Sequence, residues 1–120
     1  MSETEYQVRV ANWLKVMTES DSLDRNERMF RFLEESLEMS QASGCTREDA
    51  LELLDYVFSR PVGEPQLEAG AVLVTLAGLC TSLDIDMEAA GEAELLRNWE
   101  KTKIIGMKRE LKPEGSPLPQ

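Results

Sequence analysis

Four glutamates are the residues of this chain best suited to chemistry. Glu34, Glu35 and Glu38 stand together in Phe32-Leu33-Glu34-Glu35-Ser36-Leu37-Glu38, and Glu68 precedes an uncharged stretch, residues 69–83. A hard divalent cation is held through oxygen, and magnesium takes few carboxylates, completing its shell with water and substrate phosphate. Two facing helices carrying these acids would supply such a set. One turn beyond Glu68, where a further acidic ligand would fit, the chain has Ala71.

Composition narrows the chemistry. There are 23 acidic and 13 basic residues, a net charge of −10, and an isoelectric point near 4.5. A surface of that sign repels polyanions, so a general nucleic-acid binder is not expected. A small phosphorylated ligand remains compatible if a cation neutralises it locally. The chain contains no histidine, which removes Ser-His-Asp and Cys-His machinery, zinc–histidine sites and imidazole acid–base catalysis. Cys45 and Cys80 lack metal-ligand spacing and read as reduced thiols. The N-terminal residues are acidic and polar, unlike a signal peptide. The uncharged stretch of 15 residues is shorter than the roughly 20 that span a bilayer. The expectation is a soluble cytoplasmic protein that binds neither membrane nor nucleic acid.

The elements that must position these acids are helices. Strand signals are nearly missing, while helical periodicity covers most of the 120 residues. A first helix is expected from about Glu3 to Thr18, with Val10, Trp13, Leu14 and Met17 on one side. Asp24 caps a second, running to about Ser43 and stopped by Gly44. Thr46 caps a third, with Asp49 as its capping-box partner. Arg60-Pro61-Val62-Gly63-Glu64-Pro65 reads as a loop. A fourth helix starts near Pro65 and ends about Leu83. Asp86 caps a fifth, reaching about Leu111. The expected organisation is one all-α domain over residues 1–112, a bundle of about five helices, with a flexible tail at 113–120.

On the second helix Arg31, Glu34, Glu35 and Glu38 fall within one polar arc, opposite Phe30, Leu33, Leu37 and Ser40. Alone, that is how a solvated helix face looks. The fourth helix is apolar almost all round, the pattern of a central, buried element. Glu68 shares a stripe with Val72, Thr75 and Leu79, where packing is expected. A buried carboxylate costs several kcal/mol unless protonation, a cation or an ion pair neutralises it. The plainer reading keeps Glu68 wet in the first turn, stabilised by the helix dipole.

Glu-Glu-x-x-Glu followed by a glutamate opening an apolar helix resembles the MazG-like, all-α nucleoside triphosphate pyrophosphohydrolases. The similarity runs from about Arg31 to Lys108. It is closest to the short phage and bacterial type, through Arg31-Phe32-Leu33-Glu34-Glu35 and the segment from Tyr56 to Pro65. That resemblance implies a helical bundle completed by oligomerisation, a homodimer or a tetramer. It implies Mg²⁺, with Mn²⁺ as a substitute, held by Glu35, Glu38 and Glu68, while Glu34 supports or positions water. The family pattern has an Asp three residues after Glu68, and Ala71 departs from it. Asp55 on the third helix is a candidate substitute.

The implied reaction cleaves an NTP, a dNTP or a related nucleotide between the α and β phosphates, releasing a monophosphate and pyrophosphate. Cations for the phosphates would come from Arg31, Arg60, Lys101, Lys103 or Lys108, with Asn98 and Lys101 the counterparts of family residues on the last helix. Each is also explicable as a basic residue complementing a helix dipole. Trp13, Phe30, Phe32, Tyr56 and Trp99 could line a base slot, Trp13 first. The alternative is a nucleotide-binding sensor or a dimeric interaction module that keeps the bundle without efficient turnover, a reading that Ala71 favours.

Overall fold

The computed structural model describes residues 5–17 and 24–108, with side chains in the last helix to position 102. Five helices make up the regular structure: α1 (Tyr6–Met17), α2 (Arg25–Ala42), α3 (Arg47–Phe58), α4 (Pro65–Ser82) and α5 (Met87–Lys108). Among the described residues there is no strand, and the all-α expectation holds. The expected helix ends at Glu3, Thr18 and Leu111, the break at residues 18–22 and the tail at 113–120 lie wholly or largely outside the described residues. So do the side chains of Lys103 and Lys108.

The helix ends follow from local chemistry. Asp24 Oδ1 accepts the backbone N–H of Asn26 at 3.0 Å and of Glu27 at 3.3 Å, satisfying donors that the first turn of α2 leaves open. Thr46 and Asp49 form a reciprocal capping box at the start of α3. α2 stops at Gly44, whose φ of 102° lets Gly44 N–H reach Gln41 O and Cys45 N–H reach Ser40 O. The same paired closure ends α4, with Asp84 N–H on Thr81 O and Ile85 N–H on Cys80 O. There Asp84, not glycine, takes the left-handed conformation at φ 58°. α2–α3 and α4–α5 are thus joined by the same turn, built on different residues.

The chain divides into two compact units. Unit 1 holds α1, α2 as far as Phe32, and α5 from Glu88. Unit 2 holds residues 33–87: the rest of α2, then α3 and α4. In unit 1, Tyr6 donates its hydroxyl to Gly91 O at 2.7 Å, Arg9 grips both Glu92 oxygens at 2.7 and 2.5 Å, and Trp13 Nε1 donates to Thr102 Oγ1 at 3.2 Å. Positions rising along α1 meet positions rising along α5, so the two helices run parallel. Gly91 allows the close approach: a Cβ there would lie 3.2 Å from the Tyr6 hydroxyl. Leu95 is buried in this unit.

Unit 2 departs from expectation. α4 is not buried within the single chain: among its described residues only Cys80 is, and every residue from 51 to 75 is exposed. Its apolar circumference predicts burial, between subunits where the chain itself does not supply it, and among the described residues the single chain leaves most of α4 exposed. Cys45 and Cys80 are both free thiols, as expected of reduced cysteines. Among the described residues no single helix is long and apolar enough to cross a membrane.

Candidate metal centre

Glu34, Glu35 and Glu38 sit mid-way along α2 in unit 2, at offsets of one, three and four residues. At 100° per residue such offsets keep three side chains on one flank of a helix. One carboxylate oxygen from each lies within 4.8 Å of the other two. Opposed ligands on one magnesium ion stand about 4.2 Å apart, and on calcium about 5 Å, given the usual bond lengths. The spacing therefore suits one hard cation. The donor set is oxygen only, which selects magnesium, calcium or manganese over zinc or copper. Glu34 is half-buried, and Glu35 and Glu38 are exposed. Water and ligand oxygens would have free access to the remaining coordination positions. Three like charges this close also repel, and a bound cation would relieve that repulsion.

Glu68 lies outside this group. It is exposed in the first turn of α4, its backbone N–H bonded to Glu64 O at 2.9 Å, and its carboxylate folds back over Gly63. The structure thus brings together Glu34, Glu35 and Glu38, and the converging set contains Glu34 where the resemblance implied Glu68. The expectation that Glu68 points into packing does not hold in the single chain, because the turns of α4 around it are uncovered. Asp55 is exposed on α3 and is likewise outside the converging group.

The expected phosphate and base contacts are spread over both units. Arg31 lies one turn before the cluster on α2 and is half-buried. Arg60, at the end of α3 in unit 2, stacks its guanidinium 5.0 Å from the Tyr56 ring centroid. Trp13, Asn98 and Lys101 belong to unit 1. Trp13 is half-buried and spends its ring N–H on Thr102. Asn98 is half-buried, its backbone carbonyl accepting the Thr102 hydroxyl at 2.9 Å. Lys101 is exposed. In unit 1, Trp99 rather than Trp13 lines an open depression of about 420 Å³, with Arg9, Asn12, Glu92, Leu95 and Leu96.

Arg47 is the residue that sequence reasoning missed. A depression of about 300 Å³ in unit 2 is lined by Leu37, Glu38, Gln41, Cys45 and Arg47, among others. The four-residue turn between α2 and α3 folds the first turn of α3 back beside the last turns of α2. Glu38 and Arg47 therefore border one hollow although nine positions separate them. The visible signal was the tight spacing of stop and start, Gly44 then Thr46. Compared with protein-family models, with curated proteins and with solved structures, the chain finds no match in any of the three.

Proposed function

We propose that this protein is a Mg²⁺-dependent nucleotide pyrophosphohydrolase, acting on an NTP, a dNTP or a related nucleotide. The observation that carries the reading is the convergence of Glu34, Glu35 and Glu38 within 4.8 Å on one helix. Glu35 and Glu38, the exposed pair, are the ligands in this reading, with Glu68 on α4, outside the converging group, as the third that the resemblance implies. When bound, the cation supplies charge neutralisation of the phosphates and a lowered pKa for a coordinated water.

The chain's own residues do the rest. Glu34, half-buried beside the pair, accepts a hydrogen bond from the attacking water and orients it. Water adds across the bridge between the α and β phosphorus atoms. One bridging P–O bond breaks, one P–O bond to the water oxygen forms, and a proton is released with the monophosphate and pyrophosphate. In this reading Arg47, on the rim of the hollow beside Glu38, balances phosphate charge, and Arg60, beyond the far end of α3, is a further cation. Arg31, one turn before the cluster on the same helix, is a further cation in this reading.

A second reading has its own support. Glu68 stands outside the converging group and Ala71 offers no ligand, so the chain would bind nucleotide as a sensor or interaction module without efficient turnover. One experiment separates the two. Purified protein is incubated with a panel of nucleotides and Mg²⁺ or Mn²⁺, pyrophosphate release is measured, and binding is followed in parallel by calorimetry. Metal-dependent release supports the hydrolase. Binding without release supports the sensor, and neither overturns both.

A further inference from the structure

We infer that α3 carries a docking face for a basic amphipathic helix of another protein, a contact independent of any catalytic reading. Leu51, Leu54 and Phe58 follow one another at offsets of three and four residues, so they form a single seam along the helix. Their exposure rises along it, from 42% through 49% to 82%. Arg47 and Ala50, at the start of α3, border the hollow against α2, and the seam runs on uncovered beyond it. A second row, Glu48, Glu52 and Asp55, lies beside the seam at offsets of four and three, within an arc of about 60°. All three acids are exposed, and among the described residues none of them is in an ion pair. Arg60, just past the helix, is turned onto the Tyr56 ring instead. Apolar anchors at such offsets are how one helix receives another, and charges flanking the seam select which helix it is.

Charge decides the occupant. Arg47 and Arg60 are the only basic residues from position 33 to 87, the whole of unit 2. A second copy, itself at a net charge of −10, would set an acidic surface against the acidic row and leave it without counter-charge. Nucleic acid and an anionic membrane surface are repelled in the same way. A helix with Leu or aromatic residues at the spacing of the seam, and Lys or Arg along its flank, covers the apolar row and neutralises the acids together. From Glu48 to Asp55 the acidic row spans about 10 Å of helix axis, so cations one turn apart on the partner match it. An acidic helix with the same apolar face is turned away by like charge, which makes the row a selector as well as a contact.

The probe is a synthetic helix of about 18 residues, Leu on one face and Lys on the rest, titrated into the full chain by calorimetry at low and high salt. Two further peptides accompany it, one with Glu in place of Lys and one with the Leu/Lys sequence scrambled. The expected result is one Leu/Lys helix per chain, weakened by salt, about 10-fold weaker or more when scrambled, and not bound in its Glu form. Glu48→Gln with Glu52→Gln and Asp55→Asn should lower affinity about 10-fold or more, and so should Phe58→Ser, with helical content by circular dichroism unchanged. The control is Glu64→Gln with Glu88→Gln and Glu100→Gln, exposed acids off α3, which changes net charge equally and should leave affinity unaltered. Binding that the scrambled peptide matches, or that both triple variants weaken alike, is general attraction to an acidic chain and overturns the inference. Absence of binding by the Leu/Lys helix overturns it as well. So does a seam covered by a second copy, in which case Phe58→Ser lowers the mass in sedimentation and leaves peptide affinity unaltered.

Discussion

The Glu68 carboxylate occupies the space over Gly63 that any side chain at position 63 would need. Gly63 has no unusual φ, so alanine suits its backbone, and a methyl group there acts through Glu68 alone. Gly63→Ala should leave the melting temperature within about 1 °C of wild type, as exposed sites rarely matter to stability. It should lower Mg²⁺-dependent turnover in the same direction as Glu68→Gln. If Glu68→Gln lowers turnover and Gly63→Ala does not, the position of that carboxylate is unimportant.

Glu38→Gln keeps the shape of an exposed side chain and removes one of three clustered charges. Helical content by circular dichroism should be unchanged. Turnover should fall by about 100-fold, equivalent to about 2.7 kcal/mol of transition-state stabilisation. Excess Mg²⁺ should recover part of the loss if the defect is in cation binding. Arg47→Ala should instead raise the KM for nucleotide several-fold and leave Mg²⁺ affinity unaltered. A kinetic analysis of both variants separates the two roles.

The ion pair of α1 and α5 gives a pH prediction. Hydrogen bonding to the Arg9 guanidinium holds the Glu92 carboxyl below its ordinary 4.5. A depressed carboxyl contributes stability that is complete above the unfolded value and disappears as pH falls through the folded one. The difference in melting temperature between wild type and Glu92→Gln should therefore be constant from about pH 7 to about pH 5 and close below that. On the alkaline side, burial first and Glu92 next raise the Tyr6 hydroxyl above 10.0. Its hydrogen bond to Gly91 is kept at neutral pH and is lost only as pH rises through the folded value.

Trp13 and Gly44 test two backbone-level assignments. Trp13→Phe removes the hydrogen bond to Thr102 and should cost about 1 kcal/mol in denaturant unfolding. Gly44→Ala forces a side chain into a left-handed conformation and should destabilise by about 1–2 kcal/mol.

The fold was legible because its punctuation is local. Thr46 with Asp49, Gly44 after Ser43, and Pro65 at the head of α4 each act within four residues, and each helix begins or ends where its chemistry requires. The acidic cluster was legible for the same reason, since Glu34, Glu35 and Glu38 share one helix and need only its pitch to converge. Arg47 depends on how a turn folds one helix onto the next, which periodicity does not reveal. What covers α4 is not legible in the sequence. Apolar residues on every side announce that a helix is covered, but not by which chain, and the same pattern serves a core helix and an interface helix. Glu68 inherits that ambiguity, because its surroundings depend on what covers α4.

Binding of Mn²⁺, followed by the loss of its free paramagnetic signal, tests the carboxylate cluster most directly. The account predicts a saturable site on each chain, tightened by nucleotide, displaced by excess Mg²⁺ and abolished by Glu35→Gln with Glu38→Gln. Weak, unsaturable binding that the paired substitution leaves unchanged would contradict it.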